Sequence, residues 1–144
     1  MKHLILTLAL LFSVTAQAAD TQDYGFPPMS DRYLNRMLMS ALRSMGCTVR
    51  SHLGVQGDER HMRDNPSSCH MVARAIDIGS LACENRRSND ENLRTLASYF
   101  TANPFILICY KNIGPVFGAC LEGHGNHLHY GGRQALGCKN PFPF

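Results

Sequence analysis

Residues 68–79 read SCHMVARAIDIG, and this stretch predicts a strand that begins near Ala75. Successive side chains of a strand point to opposite faces, so Ile76 and Ile78 would face apolar packing while Asp77 points the other way. His70 lies seven residues before Asp77. Taken alone, Asp77 fits an ordinary surface carboxylate, because most aspartates in proteins are exposed. The stretch becomes informative only when a second polar cluster is added to it.

That second cluster lies in residues 123–132, which read GHGNHLHYGG and hold His124, His127 and His129. The period of two in a strand places His127 and His129 on one face, opposite the apolar side chains that alternate with them. Glycines on both sides of His124 would let the chain fold back toward the same place. The alternative is an incidental histidine cluster on a solvated strand.

Together the two stretches supply three nitrogen and oxygen ligands for a metal, His70, Asp77 and His129. A catalytic zinc site uses three protein ligands and keeps its fourth position for water. We therefore expect one zinc ion (Zn²⁺) per chain and a hydrolytic reaction. A neighbouring base would take the proton of the zinc-activated water, and His127 is the nearest candidate.

Two segments have helical periodicity, and four short extended segments surround them. The first helix is expected to begin near Ser30, with Ser30 as its cap, and to end at Gly46. A capping box over residues 88–91 predicts the start of the second helix, which Pro104 closes. The extended candidates are residues 47–53, 75–81, 105–111 and 127–131. This order does not repeat as βαβ units, so we expect an α+β fold with a small central antiparallel sheet of about four strands and flanking helices.

The N-terminus is typical of an export signal. Lys2 precedes an apolar run over residues 4–14, and a small-x-small cleavage site ends at Ala18. Cleavage there would leave residues 19–144 as a single domain that begins with an irregular arm over residues 19–29. The apolar run is shorter than the roughly 20 residues that span a bilayer. We therefore expect a periplasmic or secreted monomer that has no membrane contact after removal of the signal.

Charge and cysteine content narrow the class of protein. The formal net charge is +3 and the basic residues form no dense run, so nucleic acid is not an expected partner. An even number of cysteines in an exported domain predicts three disulfide bonds, whose pairing the sequence leaves open. A thiolate metal site is disfavoured because no two cysteines have the close spacing of zinc ligands. The cysteines are Cys47, Cys69, Cys83, Cys109, Cys120 and Cys138.

These motifs resemble a known family, the zinc peptidases that include D-alanyl-D-alanine carboxypeptidases, murein endopeptidases and phage endolysins. The family pattern is Ser-x-His-x-x-Gly-x-Ala-x-Asp, followed much later by His-x-His. The residues that match its first part are Ser68, His70, Ala75 and Asp77. Ala73 stands where the family usually has glycine. His127 and His129 match the second part, and together with His124 they look most similar to the murein endopeptidase version.

The resemblance implies a role for each matched residue. The zinc ligands would be His70, Asp77 and His129. His127, with His124 behind it, would act in proton transfer or in stabilising the oxyanion. Carboxypeptidase relatives often carry a glutamate three residues before the last ligand, where this chain has Asn126. The base is therefore left open among His127, His124 and Glu122.

The resemblance also implies a substrate-binding arginine upstream of the first motif. Residues 48–51 read TVRS and give Arg50 as the nearest match, in a role that is both catalytic and substrate-binding. A guanidinium there would bind a substrate carboxylate or polarise the carbonyl. Arg60 and Arg63 are alternatives, and Ser68 is a second candidate for substrate binding.

What the resemblance implies for function is hydrolysis of a peptide bond in peptidoglycan, in stem peptides or cross-links that contain D-amino acids. The expected fold is the one that this family shares with the hedgehog signalling domain. A zinc-bound but catalytically inactive binding module of the same fold is the first alternative. A metal-free, disulfide-stabilised inhibitor or structural protein is the second, but it leaves the ordered spacing of the ligands unexplained.

Overall fold

The chain folds into a four-stranded antiparallel sheet with helices packed against its apolar face. The structure is a computed structural model that describes residues 20–53, 69–111 and 125–132. In chain order the elements are helix α1 (Arg32–Met45), strand β1 (Cys47–His52), a 3-10 turn (Cys69–Val72), strand β2 (Ala75–Cys83), helix α2 (Asn89–Ser98), strand β3 (Ile106–Cys109) and strand β4 (Leu128–Gly132). The strand order is β1-β2-β4-β3. The predicted α+β class with a small antiparallel sheet is confirmed.

The apolar face of the sheet forms the core together with both helices. Ile76 and Ile78 of β2 are fully buried, as the alternation predicted. So are Leu128 and Tyr130 of β4. The Phe100 ring packs against the Tyr130 ring with the centroids 4.9 Å apart. Burying a large apolar side chain contributes about 1.5–3 kcal/mol, so this core fixes the position of the opposite, polar face.

Helix α1 begins one residue later than the sequence predicted. Asp31 is its N-cap, because the Asp31 Oδ1 accepts a hydrogen bond from the backbone N–H of Tyr33 at 2.8 Å. Ser30 does not cap the helix, since its Oγ donates instead to the carbonyl oxygen of Val72 at 2.7 Å. Gly46 ends the helix as predicted, in the left-handed region at a φ of 61°.

Helix α2 begins at the predicted capping box. The Ser88 Oγ accepts from the backbone N–H of Glu91 at 3.3 Å, and the Glu91 carboxylate accepts from the backbone N–H of Ser88 at 2.8 Å. The α-helix ends at Ser98, several residues before Pro104. Phe100 follows in a turn and is still buried against the core.

All four predicted strands are present, and their ends differ from the prediction by at most two residues. Strand β2 extends to Cys83, whereas β3 begins only after Phe105, which is half-exposed in a turn. The pairing of β1 with β2 is shifted on both sides of Ser51, and its register skips Arg50 and Gly79. These irregularities separate β2 into a part that pairs with β4 and a part that does not.

One disulfide bond closes the far end of the β1–β2 pair. Cys47 and Cys83 lie opposite each other in the register, with their Cα atoms 4.1 Å apart. Cys69 and Cys109 are also disulfide-bonded. The two remaining cysteines, Cys120 and Cys138, lie outside the described residues.

The N-terminal segment packs onto the domain. Residues 20–23 are helical, and Phe26 and Met29, within the expected irregular arm, are buried in the core. The expected export signal, residues 1–18, lies outside the described residues. Among the helices of the described part, none is long and apolar enough to cross a membrane.

Candidate metal centre

The pairing of β2 with β4 brings Asp77 opposite His129. Their neighbours in both strands face the core, so Asp77 and His129 share the opposite face. The His129 Nδ1 lies 2.8 Å from the Asp77 Oδ1. Gly131 makes the close approach possible, because a Cβ there would lie 2.7 Å from the Cβ of Ala75. The strand register thus creates half of the predicted metal site.

The 3-10 turn supplies the third member. The His70 Nε2 lies 3.4 Å from the His129 Nδ1 and 3.4 Å from the Asp77 Oδ1. The side chain of His70 is 3% exposed, while Asp77 and His129 are 16% and 12% exposed. The three groups are therefore largely screened from water but reachable from one side.

This arrangement fits a metal ion. The ligand atoms of His70, Asp77 and His129 all lie within 4.8 Å of one another, so the group could hold a cation. Atoms bound tetrahedrally to zinc at about 2.0–2.1 Å lie about 3.3 Å apart. Two of the three observed separations, both 3.4 Å, match that value, and the third needs only a small opening. Two imidazoles and a carboxylate are also a donor set that zinc accepts.

The electrostatics of the site keep Asp77 ionised. Burial alone raises the pKa of the Asp77 carboxyl, but hydrogen bonds from His129 and His70, with their charges, outweigh burial and hold that pKa well below its usual range. An ionised carboxylate is the form that binds a cation. Asp77 is therefore ready to act as a ligand at neutral pH.

His127 lies at the rim of this centre, immediately before β4. Its Nε2 is 3.9 Å from the Asp77 Oδ2, and its side chain is 17% exposed. Its Nδ1 lies 2.7 Å from the Oδ1 of Asn126. Because an amide oxygen only accepts hydrogen bonds, the Nδ1 of His127 is the donor in this contact. His127 thus places an imidazole beside the three candidate ligands.

The loop that carries His70 is held by the start of α1. The backbone N–H of Ser30 donates to the carbonyl oxygen of Ala73 at 2.8 Å. The guanidinium of Arg74 donates to the Asp31 Oδ2 at 2.7 Å, and the Arg74 side chain is 5% exposed. The cap of a helix is therefore tied directly to the metal-site loop, a connection that the sequence did not predict.

Ala73 occupies a left-handed conformation in the same loop, with a φ of 53°. Residues with a Cβ rarely adopt this region, which glycine enters without strain. The glycine that the similar family has at this position therefore has a physical reason. That departure from the family pattern was the one sequence signal for the conformation.

The two histidines of the candidate metal centre, His70 and His129, each have a disulfide-bonded neighbour. Cys69 directly precedes His70, and Cys109 lies opposite His129 in the pairing of β3 with β4. A disulfide bond next to His70 and another next to His129 would restrain the backbone that positions each imidazole. The position of Cys69 beside His70 is evident from the sequence, but that of Cys109 depends on a strand pairing that the sequence does not state.

The other predicted site residues are not brought to this centre by the described part of the chain. Arg50 lies beyond Ser51, whose partner Ser80 is three residues past Asp77 on β2. At about 3.3 Å per residue, this offset is about 10 Å along the strand. The remaining candidates lie outside the described residues: Arg60, Arg63, Ser68, Glu122 and His124.

The chain matches no protein-family model, no curated protein and no solved structure.

Proposed function

We propose that the chain is an exported zinc peptidase that hydrolyses a peptide bond in peptidoglycan stem peptides or cross-links. The observation that carries the proposal is the cluster of ligand atoms from His70, Asp77 and His129 beside the imidazole of His127. Three protein ligands with a base at the rim are what metal-assisted hydrolysis requires.

The ligand atoms in this proposal are the His70 Nε2, the Asp77 Oδ1 and the His129 Nδ1. Bound zinc would lower the pKa of a water molecule toward about 7 and polarise the carbonyl of the scissile bond. The fold of the chain holds the three ligands in position. The buried core face of β2 and β4 holds two of the ligands, and the loop anchored on α1 holds the third.

His127 is the proposed general base. Its Nε2 would take the proton of the attacking water and return it to the amine that leaves, and Asn126 would keep the imidazole in the required tautomer through Nδ1. The proposed base thus differs from the glutamate of many carboxypeptidase relatives. The amide of Asn126 cannot itself accept this proton.

The substrate class comes from the sequence. The export signal would deliver the enzyme to the cell wall, and the two motifs resemble peptidases that act on D-amino-acid-containing peptides. We therefore propose a periplasmic or secreted monomer with a hedgehog-like fold that acts as a DD-carboxypeptidase or endopeptidase.

Asn126 also supports a second candidate, a zinc-bound module that binds peptidoglycan without cutting it. An amide stands where many carboxypeptidases of the similar family have a proton-accepting carboxylate. The two candidates differ in one outcome, since only the enzyme releases products. Co-sedimentation with purified sacculi in the absence of any product would favour the module.

Digestion of purified muropeptides, followed by mass spectrometry, tests the proposal. Wild type should release D-alanine or split cross-linked dimers, His129→Ala should release nothing, and His127→Ala should be about 10²- to 10⁴-fold slower. His52→Ala is the matched control, because His52 is exposed on β1 and outside the ligand group. It should cut at the wild-type rate. If wild type releases no product that His129→Ala does not also release, the peptidase proposal fails.

A further inference from the structure

A concave region lies at the end of the β1–β2 pair that is far from the candidate metal centre, around the Cys47–Cys83 disulfide bond. Its volume is about 730 Å³, a size that accommodates several linked residues of a ligand. Thr48 and Ala82 contribute exposed positions to its lining. We call this region the arginine groove. Its charged lining residues are Arg43, Arg50, Arg87 and Glu84.

The charge of the arginine groove is not balanced locally. Three guanidinium groups and one carboxylate line it. Within the described part of the chain, Arg43, Arg50 and Arg87 form no ion pair. Arg74 and Arg94 differ from them, because each is paired with an aspartate at 2.7 and 2.9 Å. The lining of the groove therefore carries a net positive charge.

Two of the arginines are oriented by neutral partners. The Arg43 Nε donates to the hydroxyl of Tyr24 at 2.8 Å, and the Arg87 Nη1 donates to the Thr95 Oγ1 at 3.3 Å. A guanidinium has five N–H donors in a fixed fork, so each keeps donors for a ligand. Neutral partners hold these side chains in place without reducing their charge.

The start of α2 favours carboxylates over phosphate as the ligand. Phosphate sites commonly use the N–H groups and the dipole of a helix N-terminus. Here the first turn of α2 carries Asp90 and Glu91, and the capping box already occupies the N–H groups of Ser88 and Glu91. Glu91 has no ion pair among the described residues, so its negative charge beside the groove would repel a phosphate dianion more than a single carboxylate. Thr48 adds an exposed hydroxyl to the lining, a group that hydrogen-bonds a peptide backbone.

We propose that the arginine groove binds an acidic peptide segment, whose carboxylates pair with Arg43, Arg50 and Arg87. This binding site is separate from the candidate metal centre, since Ala82 lies five residues past Asp77 on β2, about 16 Å at strand spacing. The proposal does not depend on peptidase activity. It also gives Arg50 a role at a distance from the metal ligands.

Fluorescence anisotropy with labelled hexaglutamate tests the proposal on the purified mature protein. Wild type should bind this peptide and leave hexaglutamine unbound, and the triple variant Arg43→Gln, Arg50→Gln, Arg87→Gln should bind at least about tenfold more weakly. The matched control is the variant Arg32→Gln, Arg36→Gln, Arg86→Gln, which removes three positive charges elsewhere on the surface. These three arginines are exposed and do not line the groove, so this variant should stay within about threefold of wild type.

The outcomes distinguish binding in the groove from an effect of net charge and from an effect of catalysis. Equal weakening by the two triple variants would overturn the proposal, because net charge alone would then explain binding. Tighter binding of tripolyphosphate than of hexaglutamate would also overturn it. His129→Ala, which should abolish hydrolysis, should bind hexaglutamate like wild type. Circular dichroism and thermal melting should show that each variant folds before its affinity is compared.

Discussion

At the start of β2, Asp77 is mostly buried, and the histidines within 4 Å of its carboxylate are the candidate metal ligands His70 and His129 and the rim residue His127. At the other end of the same strand, Arg43, Arg50 and Arg87 are exposed around a groove, and none of the three forms an ion pair with a described residue. The first region needs atoms placed to a few tenths of an ångström, because metal ligation depends on exact distances. The second region requires only several positive charges around an open concave surface. Substitutions should therefore have large effects at the candidate metal centre and small ones at the arginine groove.

The largest effect is expected from His129→Ala at the metal end. The substitution removes one of three ligands. Loss of a residue that only hydrogen-bonds to a ligand lowers metal affinity about 10- to 100-fold, so loss of the ligand itself should lower it further. Isothermal titration with zinc measures this change. Arg50→Gln in the groove is the comparison and should leave zinc affinity within about twofold. Equal zinc affinities of wild type and His129→Ala would contradict the assignment of the ligands.

Arg74→Met should give the next largest effect, on stability. It removes one partner of a largely buried ion pair and leaves Asp31 uncompensated, which costs about 3 kcal/mol in the free energy of unfolding. Arg94→Met breaks an exposed pair on α2 and should cost at most about 1 kcal/mol. Urea denaturation of both variants measures the difference. Equal losses would mean that Arg74 does not anchor the loop that carries His70.

Ala73→Val should have a smaller effect than Arg74→Met. A β-branched residue at a φ of 53° is strained, so the free energy of unfolding should fall by about 1–2 kcal/mol. Ala73→Gly should instead be as stable as wild type or slightly more stable, because glycine adopts this conformation without strain. Thermal melting of both variants checks the pair. A glycine variant less stable than the valine variant would be inconsistent with the left-handed conformation of Ala73.

The smallest effect concerns Asp90 on α2, at the groove end. Hydrogen bonds from Lys111, Tyr110 and Arg94 hold the pKa of Asp90 well below its usual range. A lowered pKa in the folded state adds stability above the unfolded pKa of about 3.9 and loses it as the pH falls toward the folded value. The stability difference between wild type and Asp90→Asn should therefore be constant above about pH 5 and shrink in acid. The same difference at pH 3 and pH 7 would count against this charge cluster.

The sequence predicted most of the strand features that position the candidate metal ligands. Alternation around Asp77 and His129 identified the core face of both strands, and that face alone directs the polar side chains outward. Local signals also predicted the capping box at Ser88 and the helix end at Gly46. These features depend on residues close together in the chain, where spacing carries the information.

What the sequence did not predict depends on contacts between distant segments. Ser30 was expected to cap α1, but its hydroxyl bonds to the loop that carries His70 and leaves capping to Asp31. The Cys47–Cys83 bond follows from the register of β1 with β2, which composition does not reveal. The same irregular register places Arg50 in the arginine groove and away from the ligands it was expected to join.

The central claim is that His70, Asp77 and His129 bind one zinc ion and leave a coordination position for water. A crystal structure of the protein purified without a histidine tag, with anomalous data collected on both sides of the zinc edge, tests it directly. We expect one anomalous peak per chain among the His70 Nε2, the Asp77 Oδ1 and the His129 Nδ1, with a water molecule as the fourth ligand. Absence of that peak, or a protein atom in the fourth position, would contradict the account.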